Sequence, residues 1–338
     1  MRNAMLKFVG IILLLAAGFS GGWLWMDLRR TLDTPLDLAG TTLHYTVRPG
    51  MTVYKIAHDL AAADILHHPH YLIWMAHWQD KATRIQAGEY AIKPNMTPRM
   101  FLTMLVEGRA LQYALTLIEG WTFNEVMATI AAHPKLTHTL TGLKRGEIMQ
   151  RLGIESDPEG LIFPDTYYFT PGTDDIEILR RAYRRMTKLL ERAWAARDPE
   201  LPYKTPYEAL TMASLIEKET AVAAERPHIA GVFVRRLQQG MHLQTDPTVI
   251  YALGGQFNGN LRRRDLELDH PYNTYRYPGL TPTPIAMPGE AAILAALHPT
   301  KDDALYFVSK GDGTHHFSAT LEQHNSAIVR HQLSAQAR

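Results

Sequence analysis

Cysteine is absent from all 338 residues of the chain. That one absence excludes disulfides, thiolate nucleophiles, Cys-ligated zinc and a lipoprotein acylation site. An excess of either charge sign is missing too, since 35 Lys and Arg face 34 Asp and Glu. Without a basic field the chain has no footing for a nucleic acid, and its target is a neutral or mixed-charge surface. No G-x-S-x-G elbow, P-loop, dinucleotide fingerprint or H-E-x-x-H occurs. Charged residues are scarce at 20% against 46% hydrophobic, which argues against disorder and for two modest folded domains.

One long apolar run is present. Phe8–Met26 (FVGIILLLAAGFSGGWLWM) has 19 residues without a charge, the length of a single bilayer-spanning helix. Arg2 and Lys7 precede it and Asp27, Arg29 and Arg30 follow, a slight bias toward a cytoplasmic N-terminus. A cleaved signal peptide ending near Ala16-Ala17-Gly18 is the competing reading. Continuation of the run through Trp23-Leu24-Trp25 favours the span. Residues 1–30 are therefore expected to form a transmembrane anchor with its flanks, and 31–41 a juxtamembrane linker.

The rest reads as α+β. In "LHYTVRPGMTVYKIAHDLAAADIL" a strand, a Pro49-Gly50 turn and a helix follow one another, with Thr52 as N-cap and Ile56, Leu60 and Ile65 apolar. A second helix, the strand-like "AGEYAI" and a helix from Pro98 to Glu107 complete a small unit over 42–110. "YALTLIEGWTFNEVMATIAAHP" repeats the pattern loosely, with a Glu119-Gly120 turn and apolar Val126, Met127 and Ile130, in a connecting α+β subdomain over 111–156. From 157 to 338 a larger α+β unit opens on the aromatic, loop-rich "DPEGLIFPDTYYFTPG".

Within that unit "ASLIEKETAVAAERP" sets Glu217, Glu219 and Glu225 in what reads as one alanine-rich helix. Helical spacing puts Glu217 on a mostly small face with Leu210, Ala213, Ser214, Thr220, Ala221 and Ala224. Such a face leaves room for a ligand, and partial desolvation would raise a carboxyl toward the general-acid range. Glu219 falls on the bulky stripe of Met212, Leu215, Ile216 and Val222, where a carboxylate must be paired or neutral, so a structural role beside an arginine is expected. Groups suited to sugars lie nearby in sequence: Tyr167, Tyr168, Gln244, Thr245, Asp246, Tyr251, Asn273 and Tyr275. Strand aromatics are more often core than ligand platform.

The ordered motifs "ASLIEKETAVAAERPHIAGVFVRRLQQGMHLQTDPTVIYALG", "PYNTYRYPGL" and "FVSKGDGTHHFSATLEQHN", with "VRPGMTVYKIAHDLA", "AGEYAI" and "EGLIFPDTYYF" before them, closely resemble the endolytic murein transglycosylases (MltG, YceG-like). The resemblance covers almost the whole chain. It implies a single-pass bacterial inner-membrane enzyme with its N-terminus in the cytoplasm and a periplasmic catalytic domain. It also implies a LysM-like domain at 42–110 and a catalytic domain with an open glycan groove at 157–338. The implied substrate is nascent peptidoglycan, cut at the MurNAc-GlcNAc β-1,4 bond to give 1,6-anhydroMurNAc ends. Glycan strands, the inner membrane and peptidoglycan synthases (penicillin-binding proteins) are the implied partners, with no cofactor or metal. In the E-K-E-T pattern the catalytic glutamate is expected at Glu217. Gln244, Thr245, Asp246, Asn273, Thr274 and Tyr275 are expected to line the cleft, joined by Tyr251 and Tyr167. Glu219, His315 and His324 are expected as structural support. The chain departs from the pattern at Thr281, Thr283 and Met287, which leaves the loop conformation there open.

A lytic transglycosylase needs one carboxylate where ordinary glycosidases need two. The muramic acid's own C6 hydroxyl closes on C1, with an effective molarity that can reach about 10⁵ M, and the glutamate serves as acid and then base. Asp246 either orients the sugar or caps the Pro247 turn. Two rivals stand: a muramidase-type hydrolase using Asp165, Asp246 or Asp265 as second carboxylate, and a non-catalytic peptidoglycan-binding scaffold for synthases. The "HHPH" cluster at His67–His70 lacks metal-site spacing.

Overall fold

The computed structural model describes residues 2–333, with the side chains of residues 2–10, 13, 17, 332 and 333 outside the description. The chain is mixed α+β, with small sheets. Among the described residues no helix is long and apolar enough to cross a membrane. Several side chains of the run expected to span, Phe8–Met26, lie outside the description. It falls within helix α1 (Arg2–Asp33), on which Ile11, Ile12, Leu14, Leu15 and Phe19 are exposed.

Two compact units divide the chain. The first runs to Tyr113 and takes in Phe169–Gly172. Its strands β1 (Leu43–Val47) and β2 (Gly88–Ile92) pair antiparallel, Leu43 opposite Ile92 and Val47 opposite Gly88. Helices α2 (Val53–Ala62) and α3 (Pro69–Trp78) lie between them in sequence, and α4 (Pro98–Val106) follows. Gly50 turns at φ +83°, a conformation that favours glycine. Thr52 then caps α2 by accepting the Lys55 N–H at 3.3 Å. As the periodicity requires, Ile56 and Leu60 are buried, in a core with Tyr90, Ile92, Phe101 and Leu102, and Ile65 packs against it.

The second unit comprises Ala114–Tyr168 and the chain from Thr173 onward. Strand β3 (Tyr113–Thr116), the Gly120 turn at φ +77° and α5 (Phe123–Ala132) repeat the β1–turn–α2 pattern, again with a threonine cap, Thr122. After α6 (Arg145–Leu152), β4 (Thr166–Phe169) pairs with β3. Helix α7 (Asp175–Ala195) buries Ile178, Ala182, Met186, Leu189 and Ala193, a stripe at helical spacing. The core is completed by α8 (Pro206–Glu219), α9 (Arg226–Gln238) and α11 (Glu290–Leu297), through Met212, Leu215, Ile216, Ile229, Phe233 and Ile293. Helix α10 (Asp246–Leu253) precedes α11. A hairpin of β5 (Tyr306–Ser309) and β6 (His315–Ser318) and helix α12 (Leu321–Ile328) close the unit.

The single alanine-rich helix expected through Ala224 is corrected. Helix α8 stops at Glu219, and Thr220 is extended at φ −145°, ψ 136°. The Thr220 hydroxyl accepts the Val222 N–H at 3.0 Å, a local bond that competes with helix continuation. A 3₁₀ turn, Ala223–Glu225, leads into α9, where Pro227 sits in the first turn and cannot continue a preceding helix.

Candidate active site

The termination of α8 sets where its carboxylates point. Thr205 caps the helix by accepting the Glu208 N–H at 3.2 Å, and Pro206 opens it. The face of small residues does have room, but the chain's own backbone fills it. Ser214 Oγ accepts the Ile285 N–H at 3.0 Å, and Glu217 Oε2 accepts the Gly289 N–H at 2.9 Å. Met287 in the same loop is buried, its N–H donated to the Trp121 carbonyl at 2.7 Å and its carbonyl accepting from Gly120 at 2.8 Å.

Glu217's other oxygen accepts from Arg226 Nη2 at 3.1 Å, in a pair whose side chains are 6% and 11% exposed. Burial raises its carboxyl, as expected from the sequence, and Glu119 adds to this; the Gly289 N–H and Arg226 oppose it. With both oxygens held, Glu217 ties the end of α8 to α9 and to the Ile285–Gly289 loop.

Glu219 has the reverse situation. Among the described residues no arginine pairs with it; Thr245 Oγ1 donates to its Oε1. It lines a cavity of about 470 Å³ together with Gln244, Asp246, Tyr275, His315 and His324. Burial pushes its carboxyl up to about 7, with the Asp246 charge adding to the rise and Thr245 and His315 opposing it. The structure thus places Glu217, expected to face a ligand, in an ion pair with Arg226, and Glu219, expected beside an arginine in the core, on a cavity wall. The face argument assumed helix beyond position 219, and there is none to cover that side.

Around this cavity the other expected residues divide into wall and scaffold. Asp246, exposed at the start of α10, accepts from Tyr275 Oη at 2.6 Å, and burial followed by that bond pushes the phenol up. Gln244, also exposed, takes φ +52°, a left-handed conformation that costs a non-glycine residue on the order of 1–3 kcal/mol. Thr245, Asn273 and Thr274, expected to line the cleft, are buried. Thr274 Oγ1 accepts the Thr245 N–H at 3.1 Å, and Asn273 donates to the Leu266 and Leu268 carbonyls while accepting from the Tyr275 N–H at 3.0 Å. They hold the loops that present Gln244, Asp246 and Tyr275. Arg236 does the same from α9, donating to the carbonyls of Leu243 at 2.8 Å and Leu305 at 2.7 Å.

Tyr167 and Tyr251 are likewise held within the protein. Tyr167 is 4% exposed and donates to the Phe163 carbonyl at 2.7 Å. Tyr251 donates to Glu159 at 2.9 Å, and fully buried Glu159 also takes Arg145 at 2.8 Å and the Phe123 N–H at 2.8 Å. Thr281 and Thr283 bond within their loop, Thr281 Oγ1 to the Thr283 carbonyl and Thr283 Oγ1 with Tyr272 Oη, both at 2.7 Å. His324 stacks on Tyr306 at 5.2 Å, and burial lowers its imidazole.

Sequence reasoning assigned no role to Arg226 or Glu225. Glu225 clamps His315 at two points, accepting its backbone N–H and Nδ1, each at 2.8 Å. Burial disfavours the Glu225 charge, but the His315 bonds prevail and lower its carboxyl. Neither contact follows a helical repeat, because each arises where the chain leaves α8 and turns back.

The family model for the YceG-like family matches residues 45–330. An endolytic murein transglycosylase of Bacillus subtilis (strain 168) is 33% identical over 306 residues, 85% of this chain and 84% of that protein. Another, from Streptococcus pneumoniae serotype 2, is 27% identical over 366 residues, 97% of this chain but 65% of that protein. The crystal structure of a YceG-like protein from Listeria monocytogenes aligns with a TM-score of 0.52 at 27% identity, over 85% of this chain and 99% of that one.

Proposed function

The chain belongs to the YceG-like family, and on that premise we propose that it is a peptidoglycan lytic transglycosylase whose working carboxylate is Glu219. The observation that carries the assignment is a carboxyl raised to about 7 on the wall of a polar cavity, with no arginine or lysine among the described residues bonded to it. Such a group is protonated in a large fraction of molecules near neutral pH, as a general acid must be.

In the reaction, Glu219 gives its proton to the oxygen leaving C1 of MurNAc as the β-1,4 bond to GlcNAc breaks. The C6 hydroxyl of the same MurNAc bonds to C1 as it gives up its proton to a base in the cavity, and a 1,6-anhydro end is left, so no water is consumed. Exposed Asp246 and half-buried Tyr275, on the same wall, offer an acceptor and an aromatic face to the sugar. Thr245 aims the Glu219 carboxyl from a buried position.

The β-α-α-β order of the first unit, with its two strands antiparallel, supports a LysM-like glycan-holding role for residues 42–110. Exposed apolar residues on α1 support a membrane anchor, with the remainder of the chain outside the cytoplasm, cutting nascent strands beside their synthases and so terminating them.

One observation favours a second reading. Asp246 shares the cavity with Glu219 and could activate a water, as in a two-carboxylate hydrolase. The other carboxylates available to a hydrolase are engaged elsewhere: Asp165 pairs with Arg185 and Asp265 caps Arg262. Mass spectrometry of fragments released from peptidoglycan separates the readings. Anhydro ends are expected, and reducing ends would establish the hydrolase.

A further inference from the structure

Glu219 has a titratable neighbour in its cavity that the one-carboxylate reaction leaves without a task. His315 opens β6 and lines the same cavity, where its charge acts on Glu219. Its orientation is fixed from behind. Glu225, in the turn after α8, takes both the His315 backbone N–H and Nδ1 at 2.8 Å, and the two side chains are 13% and 14% exposed. Phe307 meets the imidazole edge-on at 5.4 Å. A carboxylate on Nδ1 selects the tautomer whose Nε2 carries a lone pair and supports the imidazolium formed when that nitrogen takes a proton. Among the described residues nothing hydrogen-bonds to Nε2.

The charged and titratable groups around this imidazole come from every neighbouring element. They are Glu219 from α8, Glu225 from the turn, Asp246 from α10, Arg236 from α9, Tyr275 from the loop before α11 and His324 from α12. Lys310, after β5, acts on Glu225. Arg236 donates to backbone carbonyls and His324 stacks on Tyr306, so among the described residues Glu219, Asp246 and His315 are the remaining bases that line the cavity.

We propose that the Glu225–His315 pair is a second proton carrier for this cavity, dividing the acid and base tasks with Glu219. The proposal rests on the transglycosylase reading above. Glu219 donates its proton to the leaving oxygen as the C1–O bond breaks, and the C6 oxygen bonds to C1. The proton of the C6 hydroxyl passes to His315 Nε2, forming an imidazolium beside the Glu225 carboxylate. After the product leaves, the imidazolium returns that proton to Glu219. Protons balance over the cycle and no water is consumed.

The test uses the full chain in detergent with purified peptidoglycan strands, comparing wild type, His315→Ala, Glu225→Gln and Glu219→Gln with and without added imidazole. His315→Ala is expected to lower kcat by about 10²–10³-fold with KM little changed. Imidazole is expected to restore that variant at least tenfold, in proportion to its free-base fraction, and to leave Glu219→Gln inactive. Glu225→Gln, which keeps the ring but reverses the bond on Nδ1, is expected to lower kcat about tenfold or more. His315→Ala within threefold of wild type would overturn the proposal. So would a loss in His315→Ala that imidazole does not restore while glycan binding persists. If His315→Ala does not fold, Glu225→Gln at full kcat overturns it instead. Reducing ends from wild type would refute the transglycosylase reading itself, whereas anhydro ends from a fully active His315→Ala would refute only the role of His315.

Discussion

Glu217 and Arg226 form an ion pair at 3.1 Å across the break between α8 and α9, almost shielded from water on both sides. Removing one partner of such a pair strands the other charge. Arg226→Met is therefore expected to destabilise the chain by about 3 kcal/mol or more, measured as a fall in the denaturant midpoint at constant slope. An unchanged midpoint would show that the pair does not hold the break.

Glu219 puts its own signature on stability. Its carboxyl lies at about 7 in the folded chain against an ordinary 4.5. The folded state keeps a proton that the unfolded state has lost, so stability falls as pH rises between those values and stays low above them. The span corresponds to roughly 3 kcal/mol. Glu219→Gln removes it, and should melt above wild type in buffers more alkaline than 7 while matching it near 4.5. Equal melting at both ends of that range would mean the carboxyl titrates normally.

Neighbours of Glu219 should move the pH profile of kcat/KM in opposite directions. Thr245 favours the ionised form and Asp246 the protonated form. Thr245→Val should carry the alkaline limb to higher pH and Asp246→Asn to lower pH, each by up to about one unit. Limbs that stay fixed in both variants would place the working acid elsewhere.

Gly160 tests the support of the loop on α8. It sits at φ +79°, and a Cβ there would lie 2.5 Å from Pro284 Cβ. Gly160→Ala is expected to cost about 2 kcal/mol or more, from strain and overpacking together. Thermal unfolding indistinguishable from wild type would show that the Pro284 loop can shift freely.

Much of the fold was legible because it rests on short-range rules. Thr52, Thr122 and Thr320 each precede a helix they cap, Gly50 and Gly120 turn where glycine is favoured, and Ile56, Leu60, Val126 and Ile130 fall at helical spacing and are buried. The surroundings of the two glutamates were not legible for a reason of the same kind. Periodicity assigns faces only while the helix lasts, and Thr220 ends it one residue after Glu219. Nor does sequence spacing reveal that the small face of α8 is filled by backbone from Ile285–Gly289, more than sixty residues away. The Q-T-D-P and Y-N-T-Y runs were visible as polar clusters. Their split into wall (Gln244, Asp246, Tyr275) and buried staples (Thr245, Asn273, Thr274) depends on which side chains meet across the two loops.

The most direct test compares wild type, Glu217→Gln and Glu219→Gln by mass spectrometry of the glycan ends each releases from peptidoglycan. With Glu219 as the acid, wild type gives anhydro ends, Glu219→Gln gives none, and Glu217→Gln still gives them, at a rate reduced only as far as its fold is weakened. Anhydro ends from Glu219→Gln, with none from a folded Glu217→Gln, would contradict the assignment and return the chemistry to the carboxylate paired with Arg226.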